Sequence, residues 1–242
     1  MLKKLILVGA GPGDPELISL KGIKALQQAN VVMYDALVSE ELLQHAPNAI
    51  KLFCGKRAGT HYMKQDEINQ KIVEQANLHG VVVRLKGGDP FIFGRGQEEI
   101  EYAEKHGIPS EIVPGISSAT ALATLRQIPL TKRGITESVW ITTGTTSCGE
   151  LSEDIELAAQ STATVVILMG IGKLAEIVNL FTKYKTEHYP IAIIQNGTLP
   201  DEKIVCGHLS TILEKVQEEN ITSPAVIIVG KVVDCSQIQH IR

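Results

Sequence analysis

The sequence has 242 residues, of which 44% are hydrophobic and 21% are charged, and its formal net charge is −4. This composition is typical of a soluble globular protein that is long enough to bury a core without disulfides or metals. The acidic balance and the few aromatic residues argue against nucleic-acid binding, which needs a basic surface and stacking side chains. No uncharged apolar run approaches the roughly 18 to 20 residues of a membrane helix, so no membrane span is predicted.

In the first half of the chain, predicted strands and helices alternate. Helices are predicted from about Leu17 to Ala29, from near Asp66 onward, and in a charged segment that ends near His106. Alternation of this kind is typical of an α/β fold. The five strands, each a short aliphatic run, are predicted at 5–8, 31–34, 50–54, 81–85 and 110–113.

The second half is predicted to form a separate α/β domain. The Pro-Gly turn at Pro114-Gly115 places the boundary, giving domains at 1–115 and 116–242. Because strands and helices alternate less strictly here, we expect a mixed rather than a purely parallel sheet. The five further strands are predicted at 139–142, 165–169, 191–194, 204–207 and 225–229.

The cysteines give no sign of a metal site. Cys54, Cys148, Cys206 and Cys235 form no C-x-x-C pair, and the chain has no H-E-x-x-H motif. We interpret all four as reduced thiols that pack as small hydrophobic residues, which fits a cytoplasmic protein.

Two glycine-rich turns after predicted strands are candidates for ligand binding, with a purely structural turn as the alternative for each. The turn at 9–14 lets a ligand approach the backbone and the following helix N-terminus. Asp14 stands where a dinucleotide fingerprint needs its third glycine, so an NAD(P) enzyme with Asp35 on the ribose is a minor alternative. The turn at 87–90 adds a carboxylate at a strand end, where open α/β sheets hold ligands.

These turns belong to a series of motifs that resembles the tetrapyrrole methylase family in order and spacing along essentially the whole chain. The resemblance implies two α/β domains with S-adenosylmethionine in the cleft between them, S-adenosylhomocysteine as product, and a homodimer. The stretches 55–59 and 84–96 resemble most closely those members that methylate uroporphyrinogen III at two ring carbons, giving precorrin-2 for siroheme or cobalamin. The motifs lie at 8–14, 34–35, 55–57, 83–90, 93–96, 113–116, 129–131, 169–170 and 196–198.

The resemblance also implies which residues contact the cofactor. The chain has Ser117-Ser118 where Thr-Ala is common, so a side-chain contact there would change whereas a backbone contact would survive. Lys132 replaces a usual His, which leaves any role of that His unsupported. Carried over residue by residue, the cofactor contacts are Pro12, Gly87, Gly88, Asp89, Ile92, Ser117, Ser118, Met169, Gly197 and Ala225.

For catalysis, the resemblance implies Asp35 as proton acceptor and Lys56 as proton donor. Both residues follow predicted strands, so both side chains are expected to reach one ligand. Alkylation of a ring carbon calls for a positioned base and no metal. A helix cap for Asp35 and a simple carboxylate anchor for Lys56 are the alternatives.

Basic residues gather in two windows that lack any acidic residue, between Glu41 and Asp66 and between Glu111 and Glu137. Uroporphyrinogen III carries eight carboxylates, so its enzyme needs a local concentration of cations even when the whole protein is acidic. An ordinary solvated surface is the alternative. The residues predicted to bind substrate carboxylates, which include cations beside the second glycine turn, are Arg57, Arg84, Lys86, Arg95, Lys132 and Arg133.

Two other functions remain open from the sequence. A methylase of a later precorrin in the cobalamin route would share the cofactor residues and differ in its acceptor pocket. A sensor would bind S-adenosylmethionine or a nucleotide without consuming it, but it would have no need of Asp35, Lys56 and the basic windows together.

Overall fold

The structure is a computed structural model that describes residues 2–55 and 63–233. The chain divides into two compact units, Met1–Ser117 and Ser118–Arg242, close to the Pro-Gly turn from which the sequence predicts a domain boundary. Each unit contains one five-stranded sheet. Within the described residues, no helix is both long and apolar enough to cross a membrane.

The sheet of the first unit is entirely parallel, and each predicted strand is found within one residue of its predicted bounds. Its central strands β1 and β4 bury all but their first residues, as expected for a parallel sheet covered on both faces. The spatial order is β3-β2-β4-β1-β5. The strands are β1 (Lys4–Gly9), β2 (Val31–Tyr34), β3 (Ile50–Phe53), β4 (Val81–Lys86) and β5 (Ser110–Val113).

The described part of this unit has three α-helices: α1 (Leu20–Gln27), α2 (Gln65–His79) and α3 (Gly96–Lys105). The sequence prediction of a helix from about Leu17 is wrong at its start. Ser19 has an extended backbone, and its hydroxyl accepts a hydrogen bond from the Gly22 amide at 3.0 Å, so α1 begins after this cap.

The sheet of the second unit is mixed, as predicted. Strands β6 and β7 are parallel, whereas the other neighbouring strands are antiparallel, in the order β6-β7-β10-β8-β9. Its core includes Ile167, Ile193 and Ile227, which pack with apolar helix residues on one face of the sheet. The elements are α4 (Ser118–Leu125), β6 (Val139–Thr143), α5 (Asp154–Gln160), β7 (Thr164–Leu168), α6 (Leu174–Thr182), β8 (Pro190–Gln195), β9 (Lys203–His208), α7 (Ile212–Glu218) and β10 (Ala225–Val229).

The cysteines differ from one another in state. Cys54 is free and buried, and Cys148 is free and exposed. Cys206 on β9 is disulfide-bonded, so the interpretation of all four cysteines as reduced thiols is wrong for Cys206. Spacing along the chain does not reveal which cysteines approach each other in the fold.

We expect a short pulse of iodoacetamide to label Cys148 and to spare Cys54 in the native protein. Burial raises the pKa of the Cys54 thiol, and only the thiolate reacts readily. Peptide mass spectrometry measures the label at each site, and the same pulse in urea is the control in which both residues react. Equal native labelling of the two thiols would contradict the buried placement of Cys54.

Candidate active site

The loops that leave the first sheet at its carboxyl edge carry most of the predicted site residues. Asp35 directly follows β2, and the turn that begins at Gly87 follows β4. The loop after β1 contains Pro12, which is half-buried between Gly11 and Gly13. Because the carboxyl ends of parallel strands meet at one edge, these loops are neighbours in space.

Four glycines, Gly9, Gly11, Gly88 and Gly115, join three of these loops, and we call this contact the glycine junction. The Gly88 amide donates a hydrogen bond to the Gly11 carbonyl oxygen at 2.7 Å, and the reverse bond measures 3.3 Å. A Cβ atom added at Gly115 would lie 2.2 Å from the Gly88 carbonyl oxygen, and one at Gly9 would lie 2.4 Å from the Gly115 Cα. Backbone packs against backbone here, so no side chain fits and the three loops are fixed together.

Asp89 ties the second glycine turn to the loop after β5. Its Oδ2 accepts a hydrogen bond from the Gly115 amide at 2.9 Å, and its Oδ1 accepts one from the Phe91 amide at 2.8 Å. Oδ2 therefore contacts the glycine junction, whereas Oδ1 stabilises the loop that follows Asp89. Each oxygen retains a second lone pair, so the predicted contact of Asp89 with the cofactor stays a prediction.

The loop that follows Asp89 is strained and exposes apolar side chains. Phe93 and Arg95 have positive φ angles of 55° and 58°, a conformation that non-glycine residues rarely adopt. Ile92, a predicted cofactor contact, is 38% exposed, and its neighbours Phe91 and Phe93 are exposed to a similar degree. Strained backbone of this kind clusters at ligand-binding sites.

Arg84 and Lys86 lie inside the first unit, where the sequence analysis expected them to meet substrate carboxylates. They are 3% and 5% exposed, and both pair with the fully buried Glu99 of α3. Glu99 Oε1 lies 3.2 Å from Arg84 Nε and 2.9 Å from Lys86 Nζ. Direct binding of substrate by Arg84 and Lys86 does not fit this burial, because alternate residues of the central strand β4 point to one covered face.

The electrostatics of these two cations follow from their burial. Burial and the neighbouring Arg84 lower the pKa of Lys86, although Glu99 opposes the shift. Burial also acts to lower the pKa of Arg84, but the carboxylates of Glu99 and Asp35 outweigh it and raise that pKa. Gln65 of α2 donates a further hydrogen bond to Glu99 Oε1 at 3.1 Å. We call Glu99, Arg84, Lys86 and Gln65 the Glu99 cluster.

Asp35 lies at the outer end of the Glu99 cluster. Its Oδ2 lies 3.4 Å from Arg84 Nη2, and its Oδ1 accepts a hydrogen bond from the Leu37 amide at 3.2 Å. The Asp35 side chain is 25% exposed, whereas that of Arg84 is 3% exposed. The Asp35 carboxylate therefore contacts a buried cation and is also partly accessible to solvent.

The other predicted basic residues are exposed or fall outside the described residues. Arg95 is paired with Glu98, with its Nε 2.8 Å from Oε1 and its Nη2 2.6 Å from Oε2. Lys132 and Arg133 are exposed on the second unit, where the Lys132 amide donates to the Thr136 carbonyl oxygen at 3.0 Å. Lys56 and Arg57 lie outside the described residues.

In the second unit, the predicted cofactor contacts lie on loops with unusual backbone. Met169 follows β7, has a φ of 53° and is 53% exposed. Gly197 follows β8 between two residues of positive φ, and a Cβ atom added there would lie 2.3 Å from the Leu122 side chain. Ser118 begins α4, and Ala225 begins β10.

The Gly197 loop is fixed by two acidic side chains. Asn196 Nδ2 donates to Asp201 Oδ2, and the Thr198 amide donates to Glu202 Oε2, each at 2.6 Å. These bonds hold Asn196 and Thr198 at φ angles of 49° and 71°. Neither acid was singled out from the sequence.

Residues 4–213 match the family model of the tetrapyrrole (corrin/porphyrin) methylases. This chain belongs to the tetrapyrrole methylase family. It is 46% identical over 237 residues to the uroporphyrinogen-III C-methyltransferase of Methanocaldococcus jannaschii, covering 97% of this chain and 98% of that enzyme.

Two solved structures extend the comparison. Uroporphyrin-III C-methyl transferase from Thermus thermophilus, complexed with S-adenyl homocysteine, is 36% identical with a TM-score of 0.81, covering 95% of this chain and 98% of that one. A cobalt precorrin-4 methyltransferase is 30% identical with a TM-score of 0.86, covering 96% of both chains. The prediction of a two-domain α/β tetrapyrrole methylase fold is confirmed.

Two members of the Glu99 cluster in this tetrapyrrole methylase, Glu99 and Gln65, were not predicted from the sequence. Glu99 occupies the buried face of α3 together with Gly96, Ile100 and Ala103. The sequence does contain a signal for Glu99, because it falls where the helical spacing predicts a buried apolar residue. A carboxylate buried at such a position needs a cation as partner. Among the described residues, no His, Cys, Asp and Glu side chains group in a way that could hold a metal ion.

Proposed function

We propose that this tetrapyrrole methylase transfers methyl groups from S-adenosylmethionine to two ring carbons of uroporphyrinogen III. The products are precorrin-2, formed through precorrin-1, and S-adenosylhomocysteine, and precorrin-2 serves siroheme or cobalamin synthesis. The observation that carries this proposal is the 46% identity to an archaeal uroporphyrinogen-III C-methyltransferase over nearly the full length of both chains.

The cofactor fits the residues of the first unit on chemical grounds. S-adenosylmethionine supplies a methyl group on a positively charged sulfur and carries polar groups that backbone atoms can bind. The glycine junction fixes the loops that carry these backbone groups, because its glycines pack directly against one another. The residues proposed to hold it there are Pro12, Gly87, Gly88, Asp89, Ile92 and Ser117, and those proposed in the second unit are Ser118, Met169, Gly197 and Ala225.

Asp35 is proposed to accept the proton that the substrate loses, from a position other than the methylated carbon, when that ring carbon is alkylated. Its carboxylate is accessible, and contacts on both oxygens restrict its orientation, as a general base requires. Lys56 is proposed to return a proton to the substrate. Methyl transfer itself depends mainly on alignment of donor and acceptor, which fixed loops promote.

Exposed cations are proposed to bind the substrate carboxylates. Arg95, Lys132 and Arg133 remain candidates because their side chains reach solvent, and Arg57 keeps the role proposed from the basic window between Glu41 and Asp66. The buried Arg84 and Lys86 are removed from this group.

We expect Arg133→Gln to raise the KM for uroporphyrinogen III about threefold, because one exposed charge contact contributes up to about 1 kcal/mol. The difference from the wild type should shrink at high salt, which screens exposed charges. Steady-state kinetics at two ionic strengths measure both effects, and Lys183→Gln removes an exposed lysine as a control. A salt-independent change in KM, or no change, would count against a carboxylate contact at Arg133.

The proposed enzyme is a homodimer, as the family resemblance implies. Its proposed cytoplasmic location rests on the free thiols of Cys54 and Cys148 and no longer on Cys206, which is disulfide-bonded. Sedimentation equilibrium of the purified protein should then give about twice the chain mass of 26.2 kDa. A single-chain mass would contradict the proposed dimer without affecting the proposed activity.

The direct test combines the purified protein with S-adenosylmethionine and enzymatically prepared uroporphyrinogen III under reducing conditions. We expect a product whose mass corresponds to two added methyl groups, with two molecules of S-adenosylhomocysteine formed per tetrapyrrole. Binding of S-adenosylmethionine without its consumption would indicate a sensor instead.

A methylase of a later precorrin is the second candidate, favoured by the TM-score of 0.86 to a cobalt precorrin-4 methyltransferase. It would leave uroporphyrinogen III unmethylated and act on a precorrin that already carries methyl groups. Parallel assays with both acceptors separate the two candidates.

A further inference from the structure

Each nitrogen of the Arg84 guanidinium faces at least one hydrogen-bond acceptor. Nε faces Glu99 Oε1 at 3.2 Å, and Nη1 donates to the main-chain oxygens of Leu85 at 3.1 Å and Met33 at 3.4 Å. Nη2 faces Asp35 Oδ2 at 3.4 Å. Because the guanidinium is planar and rigid, fixing Nε and Nη1 also fixes the direction in which Nη2 points.

Charge balance explains why this arrangement can be buried. Arg84 and Lys86 contribute two positive charges, and Glu99 and Asp35 contribute two negative charges. Glu99 is fully buried, and an unpaired ion in such a position would cost several kcal/mol. Removing the Glu99 charge would leave two adjacent buried cations opposite Asp35 alone, so the Arg84 side chain would lose its anchor and its fixed orientation.

We propose that Glu99 is a positioning residue for Asp35 and acts on it through Arg84. Glu99 holds the guanidinium against Asp35 Oδ2, while the Leu37 amide holds Oδ1, so that the carboxylate presents one orientation to the substrate. This inference rests on the proposed role of Asp35 as proton acceptor. Loss of the Glu99 charge should then lower kcat and leave the affinities for cofactor and substrate unchanged.

A purely structural role of Glu99 predicts a different result, and a double-mutant cycle separates the two. Residues that act through one group show non-additive effects, whereas independent residues show effects that multiply in rate. Glu99→Gln keeps the shape of the side chain but removes its charge, so the ion pairs with Arg84 and Lys86 are lost. It is compared with the wild type, with Asp35→Asn, and with the variant that carries both changes.

We expect Glu99→Gln to lower kcat about tenfold in the wild-type background and less than about twofold in the Asp35→Asn background, since coupled residues lose their separate effects. The KM for uroporphyrinogen III and the Kd for S-adenosylhomocysteine should each stay within about twofold of the wild type. Glu104→Gln, at an exposed position of the same helix, is the matched control and should leave all three constants unchanged.

The outcomes separate this inference from the proposed function. Full activity of Asp35→Asn would overturn the role of Asp35 itself. A slow Asp35→Asn variant in which Glu99→Gln still lowers kcat about tenfold would overturn only the role of Glu99. An increase in KM or Kd with unchanged kcat would also overturn it.

If Glu99→Gln does not fold, the paired change Lys86→Met with Glu99→Gln carries the test. It removes one buried charge of each sign and leaves Arg84 balanced by Asp35. We again expect a loss of about tenfold in kcat in the wild-type background and of less than about twofold in the Asp35→Asn background, because Arg84 has lost its ion pair on Nε. Wild-type kcat in this folded variant would overturn the proposal.

Discussion

The Asp35→Asn variant is expected to bind S-adenosylhomocysteine with wild-type affinity and to methylate uroporphyrinogen III at least about tenfold more slowly. Asparagine has nearly the same shape, and its side-chain oxygen can still accept the bond from the Leu37 amide. It cannot take up the proton that the substrate loses when the ring carbon is alkylated. The loss should therefore fall on kcat.

Two measurements test this expectation: single-turnover formation of methylated product, and titration calorimetry with S-adenosylhomocysteine. Asp154→Asn, at an exposed position in the second unit, is the control and should match the wild type in both. Full turnover by Asp35→Asn would remove Asp35 from the proposed mechanism. Loss of S-adenosylhomocysteine affinity would place Asp35 in the cofactor site instead.

The Gly115→Ala variant is expected to lose about 1 to 3 kcal/mol of unfolding free energy, as overpacked positions do. It is also expected to bind S-adenosylhomocysteine at least about tenfold more weakly. A tenfold loss of affinity corresponds to about 1.4 kcal/mol of binding free energy, which is within the cost expected for this overpacked position. The new Cβ atom would lie 2.2 Å from the Gly88 carbonyl oxygen and 2.6 Å from the Gly9 Cα. These are backbone atoms, so the loops themselves must move apart.

Urea denaturation and titration calorimetry measure the two effects of Gly115→Ala. Gly172→Ala is the matched control, because a Cβ atom there meets no atom within 4 Å and its φ is not positive. This control should keep wild-type affinity and should keep or slightly raise the stability. A Gly115→Ala protein as stable and as tight-binding as the wild type would show that the glycine junction tolerates a side chain.

The strands were predictable because each is an apolar run between turn residues, a local pattern that the sequence displays directly. The start of α1 was not predictable. The apolar spacing includes Leu17 and Ile18, whereas the Ser19 cap makes the helix begin only after it. The mixed pairing of the second sheet was anticipated from its looser alternation of strands and helices. Local sequence patterns thus predict which strands and helices form, but they predict the first and last residues of each less accurately.

In the candidate site, the glycine turns were predictable as turns because glycine is informative about the backbone around it, whereas their contact with the cofactor stays a prediction. The cations were harder to interpret, because Arg84 and Lys86 look in the sequence like any basic residues beside a loop. Their partner Glu99 lies on another element, and only the fold brings its carboxylate onto the covered face of β4. A pairing between elements is a property of the tertiary structure, and composition and spacing do not contain it.

The glycine junction joins loops that are far apart along the chain, one near its start, one after β4 and one after β5. Parallel strands pair only after long segments of chain have been brought together, so such contacts form late in folding. The junction therefore requires that β1, β4 and β5 are paired. If the cofactor binds at these loops, a measurement of its affinity also reports the fraction of molecules in which these three strands are assembled.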